Sequence, residues 1–113
     1  MAAIANLVVD QGTTFSSDVT VKDANGNGWD LTGYTAAAKM AKGYQSTKTR
    51  SDITCTIAND PTTGVVTLSL TPVATGALDA ERYVYDLEIT KTASGAVTRV
   101  IEGIITVRPQ VTT

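Results

Sequence analysis

The chain has 113 residues and a formal net charge of −2, and it contains no histidine. Hydrophobic residues make up 42% of it but aromatic residues only 5%, so one domain with an aliphatic core is expected. No basic stripe or membrane-length apolar run is present, and we therefore expect no nucleic-acid or membrane partner for a soluble chain made in a cytoplasm. The lack of histidine removes the most common general base and metal ligand.

Apolar residues alternate with polar ones along most of the chain, which predicts β-strands. In chain order the clearest predicted strands are TFSSDVTVKD, VVTLSL, RYVYDLEI and VTRVIEGIITV. Their predicted core-facing residues are Phe15, Val19, Val21, Val66, Leu68, Leu70, Tyr83, Tyr85, Leu87, Ile89, Val97, Ile101, Ile105 and Val107. Turn signals lie between the strands in ANGNG, NDPTTG and ASGA. About seven short strands at this spacing indicate a sandwich or barrel.

The stretch DANGNGWD, residues 23–30, has the beginning of a calcium loop and also the residues of a hairpin turn. Oxygen ligands at Asp23, Asn25 and Asn27 followed by glycine fit the loop. An EF-hand loop closes with a carboxylate at its twelfth position, and here that position is Tyr34. The turn is the favoured interpretation, and no metal is expected.

Catalytic motifs are missing from the sequence as well. Cys55 alternates with Ile53 and Ile57, which indicates a small core side chain rather than a nucleophile. No nucleophile elbow or glycine-rich phosphate loop is present. We expect no catalytic residue and no cofactor, and hence no enzyme.

The segment TPVATGAL predicts a short helix that connects the two sheets of a sandwich. Thr71 can cap it, Pro72 suits its first position and Gly76 can end it.

A tyrosine after this helix points to the immunoglobulin-like architecture. Tyr83 follows Asp79 by four residues and precedes the inward position of Tyr85, as in a tyrosine corner; the alternative is an ordinary core tyrosine. We therefore predict a single immunoglobulin-like antiparallel β-sandwich of about seven strands over residues 1–113.

A second apolar face is predicted on the last two strands, opposite the core. Val84, Val100 and Ile104 stand where a monomer would carry polar residues, so either a covering segment or a protein contact is expected there. Chain termini fray unless they are tied down, and residues 1–7 and 108–113 are expected to pack on neighbouring chains. The predicted interface residues are Ile4, Leu7, Val84, Val100, Ile104 and Arg108.

The alternative function is a β-sandwich module that binds carbohydrate or a host surface. Its candidate stacking residues are Trp29, Tyr34 and Tyr44. The favoured interpretation of Trp29 is a plug at one end of the sandwich.

Three stretches together carry a family resemblance: VDQGTTFSSDVTVKDANGNGWDLTGYT, GVVTLSLTPVATGAL and ERYVYDLEITKTASGAVTRVIEGIITVRPQVT. Their succession resembles small β-sandwich domains in structural proteins of tailed bacteriophages, and it is similar in layout to the N-terminal domain of phage baseplate upper proteins. The resemblance implies an adaptor that fixes larger fibres to a particle, but we expect no fibre or coiled coil after the sandwich here. The resemblance therefore implies a stand-alone virion component, either a capsid decoration or cement protein or a small neck, tail or baseplate protein. Its expected partners are other virion structural proteins and further copies of itself, in a homo-oligomer or symmetric array.

Overall fold

The computed structural model describes residues 2–43 and 50–112, and this part of the chain is almost entirely β-structure. Its strands are β1 Ala3–Ile4, β2 Leu7–Asp10, β3 Phe15–Thr20, β4 Tyr34–Ala41, β5 Arg50–Ile57, β6 Val65–Leu70, β7 Arg82–Lys91 and β8 Val97–Arg108. Two short helical pieces join them, a 3-10 turn over Pro61–Thr63 and the helix α1 over Pro72–Gly76.

The strands form two layers that are joined through β5. The hydrogen-bonded order is β1-β8-β7-β4-β5-β6-β3, and β2 also pairs with β8. β1 and β2 pair with successive parts of the same edge of β8, and together they form one edge strand of the sheet. β5 pairs with β4 through its first half and with β6 through its second half, so the sheet folds over on itself there. The result is an immunoglobulin-like antiparallel β-sandwich, in which β1 and β2 run parallel to β8.

The core between the layers is aliphatic, as the composition predicted. Leu87, Ile89 and Ile105 from one layer meet Val66 and Leu68 from the other, and each of the five is fully buried. Each such side chain stabilises the fold by roughly 1.5–3 kcal/mol relative to exposure.

The tyrosine corner is confirmed. Tyr83 is buried at the start of β7, and its hydroxyl accepts a hydrogen bond of 2.9 Å from the backbone N–H of Asp79. The bond ties the end of the connection between the layers to the strand that follows it.

The predicted helix is also confirmed. The hydroxyl of Thr71 accepts a 3.2 Å hydrogen bond from the N–H of Ala74, Pro72 occupies the first turn, and Gly76 is the last helical residue. One contact was not predicted: Thr75 is fully buried and donates to the carbonyl of Thr13 at 2.8 Å.

The stretch 23–30 is a closed turn. Oδ1 of Asp23 accepts hydrogen bonds from the N–H groups of Asn25 at 2.9 Å and Asn27 at 3.0 Å. The N–H of Asp23 donates to the carbonyl of Asn27 at 2.8 Å, and Gly26 takes the positive φ of 83°. The carboxylate oxygen that would begin a calcium loop therefore holds the backbone of the turn, and the turn interpretation is confirmed.

The prediction for Val100 is wrong. Leu87 stands opposite Ile101 while Glu88 stands opposite Arg99, so Val100 is an extra residue at a β-bulge. The extra residue reverses the alternation of β8 on one side of it. Val100 consequently lies in the core at 8% exposure, and Val97, which was predicted to face the core, is 58% exposed.

Candidate interaction surface

The face of the β2-β8-β7-β4 layer that points away from the core carries a group of exposed apolar side chains. We call Ile4, Val8, Val84 and Ile104 the outer strip. Ile104 stands directly opposite Val84 on the neighbouring strand. Ile4 is 74% exposed, Val8 56% and Ile104 39%, and Val84 is half-buried. These side chains lie on the predicted second apolar face.

Charged side chains border the outer strip and are paired with one another. Nε of Arg99 lies 3.3 Å from a carboxylate oxygen of Asp86, and its Nη1 lies 3.5 Å from Oε2 of Glu102. On the next strands Lys39 and Asp52, which stand opposite each other, approach to 3.0 Å. Such exposed pairs add little stability individually, but they leave the apolar side chains as the distinctive feature of the face.

Arg108 belongs to the same face and is engaged by its own chain. Its guanidinium forms a two-pronged contact with Asp10, which it opposes in the ladder: Nε to Oδ1 is 2.6 Å and Nη2 to Oδ2 is 3.3 Å. The hydrogen bond from Arg108 holds the pKa of Asp10 below its ordinary value and raises that of the guanidinium. Arg108 therefore fixes β2 to β8.

The N-terminal segment is tied down within the chain. The N–H of Ala5 donates to the carbonyl of Glu102 at 2.9 Å, and the hydroxyl of Tyr85 donates to the carbonyl of Ala5 at 2.5 Å. Oδ1 of Asn6 accepts from the N–H of Ile104 at 3.0 Å. Burial raises the pKa of Tyr85 to about 12, so its hydroxyl stays protonated and keeps donating. These contacts fasten the segment between β1 and β2 to β7 and β8.

Gly103 allows this close approach. A Cβ at Gly103 would lie 2.2 Å from the carbonyl oxygen of Ala5, so any larger residue would displace the segment. A glycine inside a strand pattern is the signal for such an approach, and the sequence interpretation did not use it.

The C-terminal segment is held in a similar way. The N–H of Gln110 donates to Oε1 of Gln11 at 3.0 Å, while Nε2 of Gln11 donates to the carbonyl of Leu78 at 2.8 Å. Val111 is 96% exposed. Packing of either terminal segment on a neighbouring chain stays a prediction.

The six predicted interface residues thus fall into two groups. Ile4, Val84 and Ile104 lie on the outer strip, and Arg108 lies on the same face. Val100 lies in the core and Leu7 packs against it. Leu7 stands opposite the fully buried Ile105 and is half-buried against the core, and its place at an interface stays a prediction. Val8, which was not predicted, joins the strip because it alternates with Leu7.

Two of the three candidate stacking residues, Trp29 and Tyr34, lie next to each other. Trp29 and Tyr34 make an edge-to-face contact with ring centroids 6.1 Å apart and planes at 82°, and both are half-buried against the core. The N–H of Trp29 donates to the carbonyl of Val21 at 2.8 Å. This packing supports the plug interpretation of Trp29. Tyr44 lies outside the described residues.

Cys55 is half-buried beside the core, and burial raises the pKa of its thiol to about 11. The thiol is therefore protonated at neutral pH and a poor nucleophile, which agrees with a packing role.

Within residues 2–43 and 50–112, no cluster of three or more cysteine, aspartate or glutamate side chains is placed to hold a metal ion. No helix in the same ranges has the length and apolar character needed to span a membrane.

Comparison with known proteins gives structural likeness only. No family model matches the chain, and no curated protein matches it. Among solved structures it is similar to the Lin-41 filamin domain, with a TM-score of 0.45, 18% identity, and coverage of 89% of this chain and 82% of the other. It is also similar to the NK cell receptor Nkp44, with a TM-score of 0.48, 17% identity, and coverage of 95% and 98%. The chain's own strand order and tyrosine corner identify it as an immunoglobulin-like β-sandwich.

Proposed function

We propose that this chain is a non-enzymatic structural protein of a bacteriophage virion, which binds other virion proteins through the outer strip. The observation that carries the proposal is the exposure of Ile4, Val8 and Ile104 on one face of the sandwich. The virion assignment itself comes from the sequence resemblance, since neither solved structure described above is a phage protein.

An apolar strip on a sheet face is more typical of a protein interface than of a catalytic site. Contiguous exposed apolar side chains bordered by polar ones are typical of protein interfaces, where their removal from water drives association. The ion pairs of Arg99 with Asp86 and Glu102 are already satisfied within the face, so a partner need not supply opposite charges to them. Contact through the strip is then driven mainly by apolar burial.

The fold suits a structural component, which contributes a rigid shape and contact surfaces to an assembly. Both terminal segments are fastened to the sandwich, and the tyrosine corner fixes the crossover between its layers. In a symmetric particle, weak contacts of this kind repeat at every copy and add up to a stable assembly. A decoration, neck, tail or baseplate position is consistent with that role.

The test is particle incorporation of the variant Ile104→Lys. A charge at Ile104 opposes burial of the strip against a partner, whereas in the free chain the side chain is already 39% exposed. We expect a folded, soluble variant that is depleted at least about tenfold from purified particles, equivalent to a loss of 1.4 kcal/mol in binding. The matched control is Val97→Lys, on the same strand beyond the bulge, which should be incorporated normally. Equal incorporation of both variants would contradict the proposal.

The alternative function is a carbohydrate- or host-surface-binding module that uses Trp29 and Tyr34. One observation favours it: both rings stay partly accessible and lie next to each other. The edge-to-face geometry and the core packing of Trp29 leave less ring surface for a sugar than a free platform would, so the outer strip carries the leading proposal.

A further inference from the structure

Among residues 2–43 and 50–112, the folded sheet has two edges with which no further strand pairs. One is formed by β1 and β2 at one end of the strand order, and the other by β3 at the opposite end. The edges face each other across an open cleft of about 390 Å³, lined by residues of the N-terminal segment, β3 and β8. A free edge presents unpaired backbone N–H and C=O groups and can accept another strand unless its side chains prevent this.

The β3 edge carries such protection. Asp18 stands near its middle, exposed, and accepts a 2.6 Å hydrogen bond from the hydroxyl of Thr67 on the neighbouring strand. Its exposed neighbours Ser16 and Thr20 are polar as well. A second copy of this edge would bring one aspartate close to another, which disfavours self-pairing.

The β1–β2 edge lacks this protection. The N–H groups of Ala5 and Gln11 donate to carbonyls of Glu102 and Arg108, so these odd-numbered N–H groups point towards β8. The ladder is interrupted between β1 and β2, where Oδ1 of Asn6 accepts from the N–H of Ile104 and the carbonyl of Ala5 accepts from Tyr85. Since backbone groups alternate along a strand, the even-numbered residues direct theirs to the open side. Within β1 and β2 these residues are Ile4, Val8 and Asp10. The only charge among them, on Asp10, is already paired with Arg108.

The geometry points to a second copy of this chain as the occupant of the edge. We propose that two copies pair antiparallel through β1–β2 about a two-fold axis at Asn6, giving one sheet that continues across both sandwiches. In this register Ile4 of each copy lies opposite Val8 of the other, so the two most exposed residues of the outer strip form apolar cross-strand pairs. Asp10 stays beyond these pairs.

Self-pairing extends the proposed function. The dimer rests on the proposed function in one respect: the outer strip is taken to be an interaction surface, and a second copy of the chain is its first partner. The two sheets present their Val84 and Ile104 side chains on one common face, so a dimer offers twice the apolar surface to a further virion protein. An interface between identical patches is the usual basis of a two-fold dimer.

The experiment compares the wild-type chain with Val8→Lys and Val97→Lys in sedimentation velocity over a concentration series. The two valines are matched, at 56% and 58% exposure, and both lie on the outer face of the same layer. We expect a dimer for the wild type and for Val97→Lys. Val8→Lys should raise the dissociation constant by at least about tenfold, with an unchanged circular dichroism spectrum.

Amide hydrogen exchange of the wild type identifies the edge. The N–H of Val8 should become protected as concentration rises, whereas those of Leu7 and Val9, which point to β8, should be protected at every concentration. A monomer at all concentrations, a dimer insensitive to Val8→Lys, or an N–H of Val8 that stays unprotected in the dimer would each overturn the inference. Failure here leaves particle binding by the monomer untouched, because Ile104→Lys tests that separately.

Discussion

We call the end of the sandwich where residues 21–31 contact residues 61–64 the hairpin end. It differs from the outer strip in the kind of contact that its residues make. At the hairpin end the contacts are backbone hydrogen bonds. The carbonyl of Gly64 accepts from the N–H of Val21 at 2.8 Å, and the carbonyl of Pro61 accepts from the N–H of Leu31 at 2.9 Å. In the outer strip, Ile4 and Val8 are largely exposed and make little contribution to the core. Backbone hydrogen bonds therefore hold the hairpin end together, whereas the side chains of the outer strip remain exposed. Substitutions should therefore separate stability from association.

The largest expected loss of stability is at Gly64. Its φ is 76°, and an added Cβ would lie 2.5 Å from the carbonyl oxygen of Val21 and 2.7 Å from the backbone nitrogen of Trp29. We expect Gly64→Ala to lower the free energy of unfolding by about 3 kcal/mol or more, measured by urea denaturation. Gly26 is the control, since its φ is 83° but nothing lies within 4 Å of its added Cβ. Gly26→Ala should cost only about 1–2 kcal/mol, and equal losses would refute the role of close packing at this end.

A smaller loss is expected from Trp29→Ala, which removes the half-buried ring from the core and from Tyr34. We expect the free energy of unfolding to fall by about 2–3 kcal/mol. Thermal denaturation measures this, and a glycan array with the same two proteins distinguishes the alternative function. Unchanged stability together with lost glycan binding would reverse our assignment of Trp29.

The smallest effect is expected at the rim of the outer strip, in the ion pair of Asp10 with Arg108. The pKa of Asp10 is lowered in the folded chain by its hydrogen bond to Arg108, so the pair stabilises the fold above the unfolded-state pKa and loses this contribution as pH falls through the folded-state value. Asp10→Asn should therefore lower the melting temperature slightly at neutral pH, and the difference from the wild type should vanish in acid. Because the pair is exposed, added salt should also shrink the difference. A difference that persists in acid would show that Asp10 acts by packing rather than by charge.

Much of the fold was predictable because its signals are local. Alternation over six to ten residues predicted the strands, and the four-residue spacing from Asp79 to Tyr83 predicted the tyrosine corner. The bulge was not predictable in the same way, because Val100 and Ile101 are adjacent apolar residues and alternation alone cannot say which one faces the core. The passage of β5 between layers depends on its pairing with distant strands, which the local pattern does not contain.

The candidate site was predicted only in part for a related reason. Val84 and Ile104 could be read from alternation on β7 and β8. The place of Val8 in the strip depends on parallel pairing between the two ends of the chain, which no local pattern specifies. Gly103 was the one available signal for that pairing, since a glycine inside a strand indicates a close backbone approach.

The contact of Asn6 with Ile104 spans 98 residues and has a consequence for synthesis. Residues 3–10 are synthesised well before β8, the strand with which they pair, so they have no intramolecular partner until β8 has been made. Contacts of such long sequence separation form late and slow the folding of β-proteins. During that interval the apolar side chains of Leu7 and Val9 lack the strand against which they pack. Translation rate and chaperone occupancy should therefore influence the yield of folded protein.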